Sequence, residues 1–414
     1  MNNTSGEHSL THKAINNTVI VAALGYFVDI YDLILFNVVR KPSLETLGFK
    51  GDDILDKGIL LLNWQMAGMM IGGIIWGILG DKKGRLSVLF FTILLYSLAN
   101  IANAYVHDIN TYIALRFIAG LGLAGELGLG ITLVSEVMTT KNRGYGTTIV
   151  GFIGVLGAVL AFIVSAYFSW QSAYIVGGIL GLALLALRLL VKESGMFNKI
   201  KQVDTVKGNI LSLFTNSKRF LKYLYCIFLG LPVWYIIGLL VFFSTEFAQK
   251  VFHIQGTVVA GQAIMYHYIG ASIGSLLWGV ISQWLHSRKK SLMIAMSFMI
   301  IMAIAYFSSF GITSTVFYGI IFLLGITQGY WTIFITVASE QFGTNMRATV
   351  TTTVPNFVRG SFIGISSIFL LLRNTQLGMW NAAIIVGVFC IGLGFFALFK
   401  LAETYNKDLD YVEE

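Results

Sequence analysis

The sequence predicts an all-α integral membrane protein in which twelve transmembrane helices form two six-helix bundles around a central cavity. Hydrophobic residues make up 56% of the 414 residues and charged residues only 12%, whereas soluble domains have roughly 45–50% and 25%. The chain has 44 glycines but only 3 prolines, a composition typical of long helices that pack closely in lipid. This composition excludes a disordered chain and an ordinary soluble enzyme.

Twelve apolar segments reach the length of about 20 residues that a helix needs to cross a bilayer. The first is not a cleavable signal peptide, because it contains Asp29 and Asp32 and only Lys13 precedes it as a basic residue. The segments lie at about 16–39, 58–80, 86–105, 111–137, 145–168, 171–191, 221–246, 257–285, 291–310, 314–339, 348–372 and 376–400.

Lysine and arginine are distributed unevenly between the two sets of loops. The N-terminus, the C-terminal tail and the loops after even-numbered spans contain nineteen of them, and the other loops contain six. Because basic loops remain on the cytoplasmic side, we expect both termini in the cytoplasm and the protein in a bacterial-type plasma (inner) membrane. The net charge of +8 is thus spread over many short loops, whereas one basic patch would indicate nucleic-acid binding.

A long polar stretch between the sixth and seventh spans divides the chain. We expect an N-terminal six-helix bundle at 1–192, a cytoplasmic linker at 193–219, and a C-terminal six-helix bundle with a short cytoplasmic tail at 220–414. Such a division is typical of transporters built from two related halves.

The two halves share a weak internal repeat. Glu136 precedes Arg143 by seven residues, and Glu340 precedes Arg347 by the same interval. A second, similar repeat is the Trp-Gly pair that ends both span two and span eight. Both repeats separate corresponding residues of the two halves by nearly the same number of positions, which supports two six-helix bundles around one cavity.

The loop after span two carries a recognisable signature. From Gly77 to Arg85 it resembles the pattern G-x-x-x-D-[RK]-x-G-R of the major facilitator superfamily at every fixed position. Arg116 to Gly122 is similar to the superfamily's R-x-x-x-G-x-G pattern. The second-half copy of the loop, Ser282 to Lys290, lacks the aspartate and the Gly-Arg pair. The resemblance covers the whole chain and implies a secondary transporter, with neither enzymatic activity nor a cofactor.

Two further motifs resemble particular branches of the superfamily. Asp29-Ile30-Tyr31-Asp32 is similar to elements of metabolite:proton and aromatic-acid:proton symporters. Glu136 with Arg143-Gly144 resembles an element of the sugar-porter and organic-ion branches. The first favours proton-coupled uptake of an organic acid, and the second keeps a sugar porter open as an alternative.

Asp81 ends a predicted helix, where its carboxylate meets the unfavourable end of the helix dipole. It therefore needs a cationic partner or the N-terminus of a neighbouring helix. We expect it to belong to a cytoplasmic gating network of charged residues, composed of Asp81, Arg85, Glu136, Arg143, Glu340 and Arg347.

Three carboxylates, Asp29, Asp32 and Glu126, lie well inside predicted spans, where a charge costs about 2.5–3.5 kcal/mol even on a lenient scale. Asp32 and Arg116 lie at similar depths, about 10 Å and 8 Å from the outer ends of their spans at about 1.5 Å per residue, so we expect an ion pair, structural or functional. Asp29 and Glu126 have no evident cation, so we predict that they exchange the coupled proton, Asp29 first. Sodium coupling through Asp29 and Asp32 stays open.

Arg359, a cation near the middle of span eleven, is the predicted site for a negative group on the substrate. Arg188 lies near the inner end of span six, where we expect it to snorkel to the interface. His267 is either a substrate contact or a structural histidine. The predicted substrate-binding set combines cations, amides and aromatic rings: Gln65, Arg116, Trp234, Tyr235, His267, Gln328, Tyr330, Trp331, Asn356 and Arg359.

The function predicted from these features is proton-coupled symport, by alternating access, of a small carboxylate-bearing nutrient such as an organic acid or amino acid. A sugar or polyol porter is the main alternative, and a drug or metabolite efflux antiporter is a third. A channel or membrane enzyme is disfavoured, because the sequence shows neither a pore-lining charge ring nor a metal-ligand cluster. The expected partners are a small molecule, a proton and membrane lipid, with no nucleic acid, and a monomer is expected.

Overall fold

The computed structural model describes residues 17–50, 52–138, 143–188, 212–407 and 411. Within these ranges, twelve helical segments are long and apolar enough to cross a membrane, which confirms the predicted number of spans. The spans are numbered 1 to 12 in chain order below. Most of the predicted linker, residues 193–211, lies outside the described residues.

The first six spans alternate in direction and are packed side by side. Span 4 is interrupted at Ala124 and Gly125, so that Glu126 begins its second helix. Span 5 is interrupted in the same way at Leu156. The helices of this half are Asn17–Thr46, Asp52–Lys83, Arg85–Asn103, Ile109–Leu123 with Glu126–Val137, Arg143–Val155 with Gly157–Tyr167, and Trp170–Arg188.

The second half repeats this arrangement. Span 7 contains Pro232, which removes a backbone donor, and is followed by a π-helical segment at Ile236–Val241. Short helices at Ser212–Thr215 and Ser244–Lys250 flank that span. The remaining helices are Ser217–Tyr235, Ala260–Trp284, Arg288–Phe307, Ser314–Gln328 with Trp331–Gln341, Arg347–Arg373, and Gly378–Lys400.

The two halves contact each other mainly where span 2 and the second helix of span 4 pack on span 11, and where span 5 packs on span 8. A Cβ on Gly128 would lie 2.5 Å from the Cα of Thr352, so only glycine permits this close approach. Between spans 5 and 8, the Ser272 hydroxyl donates to the carbonyl oxygen of Phe152 at 2.6 Å. These contacts close the bundle around its centre.

Charged and amide side chains are concentrated inside this bundle. Asp29, Asp32 and Arg116 are fully buried, whereas large apolar residues on the periphery, such as Leu371 at 71% and Val388 at 69%, are exposed. This polarity is the reverse of that of a soluble protein and suits a lipid environment.

Candidate functional site

A small cavity lies between the two halves, at the centre of the bundle. Its volume is about 40 Å³, which holds at most a few water molecules. Spans 1, 5, 7, 8, 10 and 11 all contribute to its wall, so both bundles must move for it to grow. The lining residues are Tyr26, Ile30, Leu33, Val155, Val233, Trp234, Ile237, His267, Tyr268, Ala271, Ser275, Gln328, Trp331 and Arg359.

Arg359 forms an ion pair across the interface between the halves. Its Nη2 lies 3.5 Å from Oδ2 of Asp29, and both side chains are buried. The Asp29 carboxylate has no hydrogen-bond donor among the described residues, so the contact is an ion pair without a hydrogen bond. Asn356, one turn before Arg359, accepts a hydrogen bond from its Nη1 at 3.4 Å. The sequence-based expectation that Asp29 has no cation is therefore wrong, because its partner lies in the other half.

Glu126 also has a cationic partner, contrary to the expectation from the sequence. Arg188 is fully buried, and its Nη2 donates a hydrogen bond to Oε1 of Glu126. The prediction that Arg188 snorkels to the interface is wrong. A carboxylate and a guanidinium this deep in the protein are retained together because either one alone would be an uncompensated buried charge.

Asp32 and Arg116 do not form the expected ion pair among the described contacts. Both carboxylate oxygens of Asp32 lack a hydrogen-bond partner among the described residues. Arg116 instead lies over the rings of Phe36 and Tyr174, with its Cζ 5.5 Å and 5.6 Å from their centroids. Its Nη1 donates to the Tyr174 hydroxyl at 3.4 Å. Cation–π contacts with these two rings therefore replace the ion pair with Asp32 that the sequence predicts.

The structure brings five of the predicted substrate-binding residues to the cavity wall and leaves the others outside it. Trp234, His267, Gln328, Trp331 and Arg359 line the cavity, and the Gln328 amide donates to the Val233 carbonyl at 3.1 Å.

The other predicted substrate-binding residues lie outside that wall. The Tyr235 hydroxyl donates to the carbonyl of Ala383, and the Tyr330 hydroxyl donates to that of Leu229. Gln65 is buried, and its amide has no partner among the described residues. Asn356 reaches Arg359, and Arg116 is held by aromatic rings as described above.

Asp81 binds the N-terminus of span 11, which belongs to the other half. Its two oxygens accept from the backbone N–H groups of Ala348 at 3.1 Å and Thr349 at 2.8 Å, and the Thr349 hydroxyl donates at 2.6 Å. Met346, at the N-cap position of the helix, makes no side-chain capping bond. Asp81 thus has the helix N-terminus that its position required, and it fastens the two halves at this end.

Glu136 is the centre of the charged network around Asp81. It accepts from Arg85 at 2.9 Å and from Arg347 of the other half at 3.3 Å, and Arg85 lies 3.7 Å from Asp81. The helix of span 5 begins at Arg143, but its side chain lies outside the part of the chain that the structure describes.

In the second half, Glu340 pairs with Arg288 at 3.4 Å. Arg288 follows Arg85 by 203 residues, and Glu340 follows Glu136 by 204. Arg288 therefore occupies the place of the signature arginine, although the second-half loop had seemed to lack one. Arg347, at the repeated seven-residue interval, contacts Glu136 of the first half, so the predicted network gains Arg288 as a further member.

An ion pair that the sequence does not predict joins the two halves at the opposite end of the bundle. Arg40 of span 1 lies 3.7 Å from Glu246, which follows span 7, and the two side chains are 13% and 21% exposed. Phe243 lies beside the pair, 5.8 Å from the Arg40 guanidinium. With both ends joined, the cavity is occluded. In the sequence, an arginine at the end of the first span indicates that a partner is needed. That partner, Glu246, could not be identified from the sequence because it is some 200 residues away.

Comparison with known proteins agrees with this architecture. The chain is 25% identical over 413 residues to a probable 4-methylmuconolactone transporter of Cupriavidus pinatubonensis, covering 94% of this chain and 91% of that one. It is 34% identical over 131 residues to the niacin transporter NiaP of Acinetobacter baylyi and over 167 residues to a putative metabolite transport protein of Haemophilus influenzae. Those two matches span only 30% and 39% of the relatives' lengths.

Among solved structures, the fold is similar to that of the proton:xylose symporter XylE, with a TM-score of 0.75, 16% identity and coverage of 95% of this chain and 97% of that one. The sequence also matches the family profile of the Major Facilitator Superfamily over residues 22–365. This multi-pass integral membrane protein therefore belongs to the major facilitator superfamily and is a transporter rather than an enzyme.

Proposed function

We propose that the protein is a proton-coupled symporter that takes up a small organic anion with one carboxylate. The observation that carries this proposal is the Asp29–Arg359 pair, which joins the two halves beside the occluded cavity. Among the described residues that line the cavity, Arg359 is the one with a permanent positive charge. The cavity also offers the rings of Trp234 and Trp331, which suit a flat, partly apolar ligand.

The pair supplies a simple coupling rule. Without substrate, Asp29 is the counter-ion of Arg359, and the pair has no net charge. When a proton neutralises Asp29, Arg359 is left with an uncompensated buried charge, and the carboxylate of the substrate replaces Asp29 as its partner. The empty site and the site loaded with both proton and anion are then neutral, whereas a site holding the proton alone is penalised. Proton and anion therefore cross together, one for one.

The other buried carboxylates have different roles in this scheme. Glu126 is hydrogen-bonded to Arg188 within the first half, so we assign this pair a structural role inside that bundle. Asp32 has no donor among the described residues and is the second candidate for the coupled proton. The predicted order of proton carriers thus keeps Asp29 first, and replaces Glu126 by Asp32 as the second.

Two relatives support the class of substrate. One is named for 4-methylmuconolactone and another for niacin, and niacin is a ring that bears a carboxylate. The sugar alternative rests on the Glu136 and Arg143-Gly144 element, which sugar porters share with organic-ion transporters. The similarity to XylE, at 16% identity, concerns the fold alone. We also propose the orientation in which the Asp81 end and both termini face the cytoplasm, since the basic loops lie at that end.

Transport by purified protein in liposomes tests the proposal. We would measure uptake of radiolabelled nicotinate, an amino acid, xylose and inorganic phosphate, with and without an inside-alkaline pH gradient. Accumulation of an organic anion driven by the gradient, without generation of a membrane potential, is the expected result. Gradient-independent xylose uptake would favour the sugar porter instead.

Variants separate binding from coupling. Asp29→Asn should abolish gradient-driven accumulation but retain counterflow of substrate, which needs no net proton movement. Asp108→Asn is the matched control, because Asp108 is an exposed carboxylate that caps its own helix through Thr111. If Asp29→Asn and Asp32→Asn proteins both still concentrate substrate in response to the gradient, coupling at these residues is wrong, and sodium-coupled or uncoupled transport becomes the better reading.

A further inference from the structure

A polar pocket and an apolar groove meet at Trp380 on the second bundle, at the end opposite Asp81. The polar pocket has a volume of about 530 Å³ and includes Lys250 and Arg373 in its wall. The apolar groove, of about 520 Å³, runs between spans 9 and 12 past Ile304 and Val388. Both volumes lie in the range of about 300–1,000 Å³ typical of ligand sites. Trp380 lines both of them.

The pocket is positively charged. Lys250 is exposed and Arg373 is half-buried, and among the described residues neither forms an ion pair. The one carboxylate in the pocket wall, Glu246, is already paired with Arg40. The pocket therefore contains a guanidinium and an ammonium that have no carboxylate partner among the described residues. Such a pair of cations can bind a phosphate group.

From the position of Trp380 we infer that the boundary between water and lipid lies at its indole ring. Its indole N–H donates to the Phe307 carbonyl at 3.2 Å, and its ring lies 6.3 Å from that of Phe310. Tryptophan is enriched at the level of the lipid headgroups. The charged pocket therefore lies on the water side of the indole, and the groove, with Ile304 at 62% and Val388 at 69% exposed, lies on the acyl-chain side.

We propose that this composite cavity is a binding site for an anionic phospholipid. The phosphate occupies the pocket between Lys250 and Arg373, and one acyl chain follows the groove between spans 9 and 12. An amphiphile fits both cavities at once, because they share Trp380 in their walls, and one contains two cations whereas the other is apolar. A free anion would use the pocket alone, and a zwitterionic lipid would gain less from two cations.

The test uses the full-length protein in a neutral detergent, titrated with mixed micelles of phosphatidylglycerol, with micelles of phosphatidylcholine, or with glycerol 3-phosphate as the free anion. Native mass spectrometry counts the retained lipids, and the shift in melting temperature reports binding independently. We expect phosphatidylglycerol to bind at least about tenfold more tightly than phosphatidylcholine, and glycerol 3-phosphate to have no effect at the same concentration.

Two kinds of variant address the two halves of the site. The double variant Lys250→Gln with Arg373→Gln should lose the preference for phosphatidylglycerol, whereas Lys41→Gln, an exposed lysine at the same end, should retain it. Gly392 lines the groove, and no atom lies within 4 Å of where its Cβ would be, so Gly392→Trp should fill the groove and weaken lipid binding. Gly364→Trp is the control, because Gly364 is equally open but does not line the groove.

Three results would overturn the proposal. These are equal affinity for both lipids, unchanged phosphatidylglycerol binding in the Lys250 and Arg373 double variant, or binding of glycerol 3-phosphate that matches the lipid and is insensitive to Gly392→Trp. The last result would identify a site for free anions. Retention of the wild-type melting temperature in the absence of lipid shows that each variant is folded.

Discussion

Asp29 and Glu126 each contact an arginine from another helix, and the two pairs differ in what they join. Asp29 with Arg359 connects the two bundles, whereas Glu126 with Arg188 lies within the first. Removing one partner of a buried pair typically costs about 3–5 kcal/mol. In the proposed mechanism, the pair within one bundle persists through the transport cycle, whereas the pair between bundles exchanges its anion.

Arg359→Lys should weaken binding of the organic anion at least about tenfold, because an ammonium cannot form the two parallel hydrogen bonds of a guanidinium with a carboxylate. Arg116→Lys should leave the affinity unchanged, since Arg116 lies against Phe36 and Tyr174 rather than on the cavity wall. Equilibrium binding of nicotinate to the purified variants measures both. Wild-type affinity in folded Arg359→Ala protein would exclude a role for Arg359 in anion binding.

Gly25 provides the space that the Glu126–Arg188 pair occupies. A Cβ at this position would overlap Oε1 of Glu126 and Nη2 of Arg188. Gly25→Ala should therefore displace the buried pair and destabilise the protein by about 1–3 kcal/mol, the usual cost of overpacking.

Gly130→Ala in span 4 is the control for this substitution, because its Cβ would lie at an ordinary 3.9 Å from that of Ala22. Melting temperatures in detergent should fall for Gly25→Ala and not for Gly130→Ala. Equal melting temperatures for the two variants would show that the pair adjusts at no cost.

Among the secondary-structure elements, span 11 has contacts that tie it to the first half along much of its length. Its N-terminus is capped by Asp81, Thr351 shares a 2.6 Å hydrogen bond with Thr132, and Asn356 donates to the Ala124 carbonyl at 2.7 Å. Beyond that point Arg359 reaches the cavity. A change at the Asp81 end is therefore coupled to the position of Arg359, the proposed substrate-binding residue.

Asp81→Asn should open the Asp81 end and slow turnover, with little change in substrate affinity. The amide loses the charge that the helix N-terminus stabilises. Ser275, which lines the cavity, can be replaced by cysteine as a reporter once the buried Cys226 and Cys390 have been changed to serine. The rate of labelling from the Asp81 side should rise in Asp81→Asn and stay at the parental value in Asp108→Asn. An unchanged rate in Asp81→Asn would contradict a gating role.

In the molecule as a whole, the two ends are closed by contacts of very different strength. The Asp81 end combines a helix cap, three interactions of Glu136 and Arg85, and buried partners. The opposite end has the partly exposed Arg40–Glu246 pair, and exposed pairs contribute about 0–1 kcal/mol. The occluded form should therefore open more readily at the Arg40 end.

Glu246→Gln should raise the labelling rate of the Ser275→Cys reporter from the Arg40 side by up to about fivefold, the factor for about 1 kcal/mol. Exchanging the charges, with Arg40→Glu and Glu246→Arg together, should restore the parental rate. Glu45→Gln is the matched control, because Glu45 pairs with Lys41 on the same helix. That pair does not connect the two halves. Failure of the exchanged pair to restore the rate would exclude an electrostatic gate.

Composition, periodicity and the Gly77 to Arg85 signature determined the membrane class, the twelve spans and the family, because each depends on residues close together in the chain. The need of Asp81 for a positive partner was also readable, since a helix end has a fixed dipole. Tertiary structure alone decided which charges meet. Arg359 binds Asp29, Arg188 binds Glu126, and Arg40 binds Glu246. In each case the helices lie side by side only after packing, and no local rule relates residues that are dozens to hundreds of positions apart.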